Sequence, residues 1–237
     1  IDPYRVAARS LTQLIRKPRA FALYHELVDP DLNQIEILNV PDSGHWIVCA
    51  GDRLAETVTE AFLRAEIAFC LVSPEVSPIG DSITWVQGLG TEANTLRQAR
   101  IAEAVGIVAG TNDDGDNLSI LLTARTENER LITVARRNKP TSEPVFRQGN
   151  FHYVLREGRI LAQEMYARIT TPLLHQFIGQ LEVMPEALVQ RIIEKLNMRL
   201  GNQSPELAHF DISLDAEDAP GVLLFLNTAR APKVGDL

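Results

Sequence analysis

The sequence predicts an α/β protein: a doubly wound, Rossmann-like parallel sheet, a helix–proline–helix crossover element, and a smaller α+β lobe toward the C-terminus. Three observations carry that expectation. Between residues 45 and 155, apolar runs of strand length alternate with segments of helical period. The run Ile67-Ala68-Phe69-Cys70-Leu71-Val72 is apolar throughout, as a strand covered by helices on both faces must be. A strand, a tight turn and a helix follow one another over 46–65, the spacing at which a nucleotide-binding sheet places its phosphate-binding turn.

Taken in order, the candidate strands are 46–50, 67–72, 83–86, 104–109, 131–135 and 151–155. Helices fit 54–65, 92–101 and 114–126, the last opened by the capping residues Thr111, Asn112, Asp113 and Asp114. A shorter helix fits 143–148, with Thr141 or Ser142 as its cap. Residues 33–40 carry apolar Ile35, Ile37 and Val40 and read as a further strand. Pro185 opens a helix on which Leu188, Val189, Ile192, Ile193 and Leu196 share a face, and Gly201 closes it. Two short strands are expected at 207–214 and 222–226, around an acidic turn.

Two segments flanking the sheet resemble one another. Setting Pro18 on Pro172 also sets Arg5 on Arg159, Ala8 on Ala162, Ile15 on Ile169 and Leu27 on Leu181. Each is an amphipathic helix, a proline that removes a backbone donor, and a second helix. The ordered matches predict a duplicated unit. The expected layout is therefore 1–44 as the tail of a preceding copy, 45–156 as the Rossmann-like lobe, 157–181 as crossover helices and 182–237 as the small lobe. The chain starts at Ile1 rather than at a methionine, consistent with a piece of a longer polypeptide. The apolar stripes on the two crossovers, including Leu11, Ile15, Phe21, Met165, Ile169 and Phe177, exceed what one small lobe covers and are expected to form an interface.

Composition narrows the function. The net charge is −8, against the basic face that non-specific nucleic-acid binding requires. No apolar run approaches the roughly 20 residues of a membrane-spanning helix. Cys49 and Cys70, the two cysteines, both fall within apolar strands and read as packed core thiols. The five histidines are dispersed without metal-ligand spacing, and no serine lies in a G-x-S-x-G context.

The turn after the first strand is the informative departure. Where a dinucleotide-binding turn carries G-x-G-x-x-G, the glycine positions hold Ala50, Asp52 and Ala55. Asp52 adds a side chain and a negative charge where phosphate oxygens would lie, and Arg53 beside it is a candidate local partner.

The stretch Val108-Ala109-Gly110-Thr111-Asn112-Asp113-Asp114-Gly115-Asp116-Asn117, followed by Leu118 to Arg125 and Ile132-Thr133-Val134-Ala135-Arg136, resembles the RCK family, also called KTN or Trk-type regulatory domains. The similarity runs from His45 to about Leu181 and again through 2–27. It implies a non-enzymatic, cytoplasmic regulatory domain of a potassium channel or potassium uptake system. Its crossover helices would pair it with other RCK copies, and tandem pairs would assemble as a tetrameric gating ring under a membrane pore domain. It also implies a nucleotide site, in which Ser73 replaces the acid that holds ribose hydroxyls, Glu75 lies two positions on, Gly88-Leu89 replaces Gly-Asp, and Asp113 and Arg136 match. These departures predict that this copy holds no NAD(H), ATP or ADP.

Two other functions are weighed. A calcium-responsive member of the same family would use Asp113, Asp114 and Asp116. These do not make an EF-hand, because counting from Asn112 the glycine position holds Asn117 and the bidentate-Glu position Thr123. An NAD-dependent oxidoreductase needs glycine-based pyrophosphate binding, a ribose acid and a general acid or base, and the first two are missing. Arg97, Arg100, Arg136 and Arg137 are either salt-bridged or positioned to face an anion at the carboxyl ends of the strands.

Overall fold

The computed structural model describes residues 2–28, 37–41, 43–75, 83–156 and 183–200, together with 158, 159, 162, 165, 177 and 179–181. One compact unit spans Ile1–Ser204 and a second spans Pro205–Leu237. The second unit lies outside the described residues, as do the expected strands 207–214 and 222–226.

Six strands form one sheet: β1 His45–Cys49, β2 Phe69–Ser73, β3 Thr84–Gln87, β4 Ala104–Ala109, β5 Ile132–Arg136 and β6 Tyr153–Leu155. Their order is β3-β2-β1-β4-β5-β6 and every pairing is parallel, the doubly wound arrangement the alternating pattern predicts. Val48 lies opposite Leu71 on one side and Val108 on the other, so the most apolar strands occupy the middle. The helices are α1 Pro3–Arg16, α2 Pro18–Val28, α3 Asp52–Arg64, α4 Ala93–Gln98, α5 Asp114–Glu127, α6 Glu143–Gln148 and α7 Glu186–Leu200. The expected 92–101 helix is shorter, because Arg100 takes a left-handed conformation and a 3-10 turn, Ile101–Glu103, leads into β4. Residues 37–40 of the expected strand 33–40 are not in a strand, although Leu38 is buried; the remainder lies outside the described residues.

Each face of the sheet has its own apolar cluster. On one face α3 (Leu54, Val58, Phe62) and α1 (Ala7, Leu11, Leu14) cover Trp46, Val48, Leu71, Val108 and Val134. On the other, Leu96, Ile120, Leu121 and Phe146 from α4, α5 and α6 cover Ile47, Cys49, Ile107 and Ala109. A third cluster joins α2 (Ala20, Leu23) to Leu181 and to Val189 and Ile193 of α7. Polar contacts follow the same seam: the Arg19 backbone N–H donates to Glu186 Oε2 at 3.2 Å, and Arg19 Nε donates to Gln190 Oε1 at 2.9 Å.

This packing corrects the interface expectation. Leu11, Ile15 and Phe21 are buried within this chain, and Phe21 meets Tyr153 of β6 edge-on at 5.0 Å. The reason is that a sheet flanked on both faces needs more cover than α3 alone supplies, and the stripe on α1 supplies it. Phe177 packs, partly buried, against the α2–α7 cluster. Met165 is 47% exposed, and Ile169 lies outside the described residues, as does most of the crossover 157–181.

Both cysteines are free and buried, as packed thiols should be. Burial raises both thiols, Cys70 to about 11, so neither is a reactive thiolate. Across the sheet, the indole of Trp46 lies over Gly106, where an added Cβ would fall 2.5 Å from a ring carbon. Gly106→Ala is therefore expected to lower stability by about 1–3 kcal/mol through overpacking, read as a lower denaturation midpoint at unchanged slope in urea.

Candidate functional site

At the carboxyl ends of β1, β2 and β4 a crevice of about 280 Å3 opens, at the place where the strand order reverses. Ala50, Gly51 and Asp52 form one wall, Val72, Pro74, Glu75 and Leu89 a second, and Thr111, Asn112, Asp113 and Asp116 the third. Four of these are carboxylates, and no lysine or arginine is among them.

The β1–α3 turn holds one glycine, Gly51, beside Asp52. Gly51 has φ −119° and open space around the position of a Cβ, so nothing there requires glycine. Asp52 instead takes the left-handed conformation, with φ 56°. That conformation costs a residue with a side chain about 1 kcal/mol, least for Asn and Asp. The Asp52 carboxylate accepts a hydrogen bond from the Asn112 side-chain amide, linking the β1–α3 turn to the β4–α5 turn across the crevice mouth. The positive end of the α3 dipole thus faces a fixed carboxylate of the protein itself.

Arg53 does not pair with Asp52, contrary to the local pairing considered from the sequence. Its guanidinium donates to Asp2 Oδ2 at 2.6 Å, and Asp2 also caps α1 by accepting from the Tyr4 N–H at 3.1 Å. Side chains at adjacent positions on a helix diverge, so neighbours in sequence seldom meet. Ala55 is buried within α3, beneath the turn.

The second wall holds Glu75 but not Ser73. Ser73 ends β2 nearly buried and is not among the crevice residues; its hydroxyl accepts from the Glu75 N–H at 3.4 Å. Glu75 itself lines the crevice. Gly90, with φ 85°, passes so close to Cys49 that a Cβ would lie 2.6 Å from the sulfur.

The third wall is held by buried amides and carboxylates. Asp113 caps α5, accepting from the N–H groups of Gly115 at 2.8 Å and Asp116 at 3.0 Å. Asn117, fully buried, accepts from the Thr111 N–H and hydroxyl at 2.8 and 2.9 Å, and donates to the carbonyls of Thr111 and Arg136 at 2.9 and 2.8 Å. One side chain thereby ties the β4–α5 turn to the end of β5. Asp114 turns away from the crevice and accepts from the Asn138 N–H at 2.6 Å, the Asn138 amide at 3.0 Å and the Lys139 N–H at 3.1 Å. Burial works against its charge, but hydrogen bonds from Ser142, Asn138 and Lys139 outweigh it and hold the carboxyl below its usual range.

Asp113, Asp114 and Asp116 consequently do not converge on one point, and among the described residues no group of three His, Cys, Asp or Glu gathers as a metal site. Arg136, the other expected ligand residue, is buried away from the crevice walls. Its Nη1 donates to the Gly110 carbonyl at 3.1 Å and its guanidinium lies 5.7 Å from the centre of the Tyr4 ring. Arg97 and Arg100 are ion-paired with Glu127 and Glu103, and Arg137 with Glu143. Sequence reasoning missed the roles of Asn117 and Asp114. The only signal available was their place in the first turn of a helix that follows a buried strand.

Residues 46–157 match the TrkA-N domain family. Two curated relatives are potassium channel proteins of Methanocaldococcus jannaschii. "Potassium channel protein 1" is 25% identical over 117 residues, covering 47% of this chain and 34% of that protein. "Probable potassium channel protein 2" is 28% identical over 99 residues, covering 39% and 29%. The chain thus spans about a third of the length of the relatives it matches. Among solved structures, GsuK bound to ADP shares the fold at 22% identity with a TM-score of 0.50, covering 74% of this chain and 39% of GsuK. Over these residues the chain is similar to TrkA-N domains. Among the described residues no helix is long and apolar enough to cross a membrane.

Two variants test the third wall. Asn117→Ala leaves buried partners unsatisfied and is expected to cost about 3 kcal/mol, at roughly 1–3 kcal/mol for each strongly affected group. Asp114→Asn should be destabilising at neutral pH. Because the folded carboxyl titrates below its unfolded value of about 3.9, the wild-type advantage is full above that pH and declines as pH falls through the folded value. Denaturation at pH 7 and pH 2.5 should show the difference between the two proteins shrinking in acid.

Proposed function

We propose that this chain is a regulatory module of a potassium channel or potassium uptake system, acting at the cytoplasmic face of the membrane, whose nucleotide crevice has been converted from ligand binding to structural coupling. The observation that carries this reading is the Asp52 carboxylate, held in a glycine-type conformation and bonded to Asn112 across the crevice mouth. The kinship with potassium channel proteins supports the channel assignment.

Magnitudes favour exclusion of a diphosphate. A unit negative charge about 4 Å from the Asp52 carboxylate costs about 4 kcal/mol at the effective dielectric of about 20 near a protein surface. The α3 dipole returns about 0.3–1 kcal/mol. The balance corresponds to a loss of at least a hundredfold in affinity. Glu75, Asp113 and Asp116 on the other walls add to the repulsion.

The layout supports a tandem arrangement: α1 and α2 are the end of a preceding RCK copy, packed on the lobe of this one, and 157–181 repeats that element. In the full protein such copies would form a ring beneath the pore. A ligand moves such a ring only by binding one arrangement better than another, since equal affinity shifts nothing. With its own crevice fronted by carboxylates, this copy transmits such a change and a neighbouring copy senses it.

Titration calorimetry with ADP, ATP, NAD and NADH tests the reading. The wild-type chain should bind none of them more tightly than about 1 mM, whereas Asp52→Gly, which removes charge and side chain together, should gain at least tenfold for ADP. Micromolar ADP binding that Asp52→Gly leaves unchanged overturns it.

A further inference from the structure

The first turn of α1 reaches both flanks of the crevice. Asp2 caps α1 by accepting from the Tyr4 N–H at 3.1 Å, and its Oδ2 accepts from Arg53 Nη2 at 2.6 Å, beside Asp52 of the crevice wall. The Tyr4 ring centre lies 5.7 Å from the Arg136 guanidinium, within reach of a cation–π contact. Arg136 Nη1 donates to the Gly110 carbonyl at 3.1 Å, one residue before Thr111 of the third wall. The Asp52–Asn112 hydrogen bond joins the two walls across the mouth. These contacts close on themselves. Asp2, Arg53 and Asp52 form one side, Asn112, Gly110 and Arg136 the other, and Tyr4 completes the ring.

We infer that this ring is a conformational latch, in which docking of the first turn of α1 and ordering of the two crevice turns are one cooperative event. The inference deepens the proposed function by naming the contacts through which the element preceding the sheet reaches the crevice. Its test involves no nucleotide, so it stands or falls apart from the ADP titration.

The build of α1 suits that role. Pro3–Arg16 is a single helix, about 21 Å long at 1.5 Å per residue. Both of its ends are fastened to α3. At the far end Arg16 Nε donates to the Ala65 carbonyl at 2.9 Å, and its Nη2 donates to the Ala65 and Glu66 carbonyls at 2.6 Å each. At the near end the Asp2–Arg53 pair holds the start of α3. A rod pinned at both ends cannot slide along α3 without breaking one set of bonds. Beyond Lys17 the chain enters α2, whose Ala20 and Leu23 pack on Val189 and Ile193 of α7. A displacement of α2 with α7 is thereby delivered through α1 to the crevice flanks. Coupling of this kind is reciprocal, so loosening the crevice turns must loosen the first turn of α1.

Amide hydrogen exchange of the intact chain tests the latch from both sides. Asp2→Asn keeps a cap for α1 but removes the charge that holds Arg53. Tyr4→Leu keeps apolar bulk but removes the ring at Arg136. The double variant should speed exchange at least tenfold at three amides. They are Ala55, whose N–H donates to the Gly51 carbonyl, Gly110, bonded to the Cys49 carbonyl, and Thr111, bonded to Asn117 Oδ1. Exchange at Ile67, bonded to the Phe62 carbonyl near the far end of α3, should be unchanged. If the double variant does not fold, Asp2→Asn alone should produce the rise at Ala55. From the crevice side, Asn112→Ala removes the bridge without touching α1. It should speed exchange at least tenfold at Val6, whose N–H donates to the Asp2 carbonyl at 3.2 Å. Unchanged exchange at Ala55, Gly110 and Thr111 in the folded α1 variant, unchanged exchange at Val6 in Asn112→Ala, or a uniform rise along the whole chain would each overturn the inference.

Discussion

What a crevice at the switch point of a parallel sheet can accept is decided by the few backbone atoms nearest the first helix, and here those atoms are fronted by a carboxylate. Asp52 occupies the left-handed position that glycine would take, while the glycine that is present, Gly51, stands where any residue would fit. The turn thus presents a negative charge at the start of α3. The Asn112 amide gives the carboxylate a partner, so the negative charge is held in place rather than swung into solvent.

The rest of the site is consistent with that one exchange. The bridge works only if the β4–α5 turn is rigid, and Asn117 makes it so with four hydrogen bonds, three to Thr111 within that turn and one to the Arg136 carbonyl at the end of β5. Asp114 anchors the same helix start to residues 138 and 139. The guanidinium of Arg136, a candidate counter-charge for a phosphate, is committed to Gly110 and Tyr4. Tyr4 belongs to α1, so the element preceding the sheet holds the one arginine that matched the nucleotide-binding pattern.

The sheet was legible because buried parallel strands are predominantly apolar, and each of the six runs locates its strand within two residues, even the edge strand β3, whose Thr84 and Gln87 are exposed. The α5 cap was legible as one of the four polar residues Thr111 to Asp114, and Asp113 is the one that supplies it. That Ala50, Asp52 and Ala55 stand at the three glycine positions is read from the sequence alone, whereas the left-handed backbone of Asp52 is not. What remained hidden are contacts between segments far apart in sequence. Arg53 with Asp2, Asp52 with Asn112 and Phe21 with Tyr153 each span 50 residues or more. Helical period identified the stripe on α1 as apolar, but nothing local states whether this chain or another covers it. The answer was the face of its own sheet.

A crystal structure of the chain grown with millimolar ADP tests the central claim most directly. The account predicts Asp52 still bonded to Asn112 and no nucleotide density along residues 50–55. A diphosphate resting on the backbone amides of that turn, with the Asp52 side chain displaced, would contradict it.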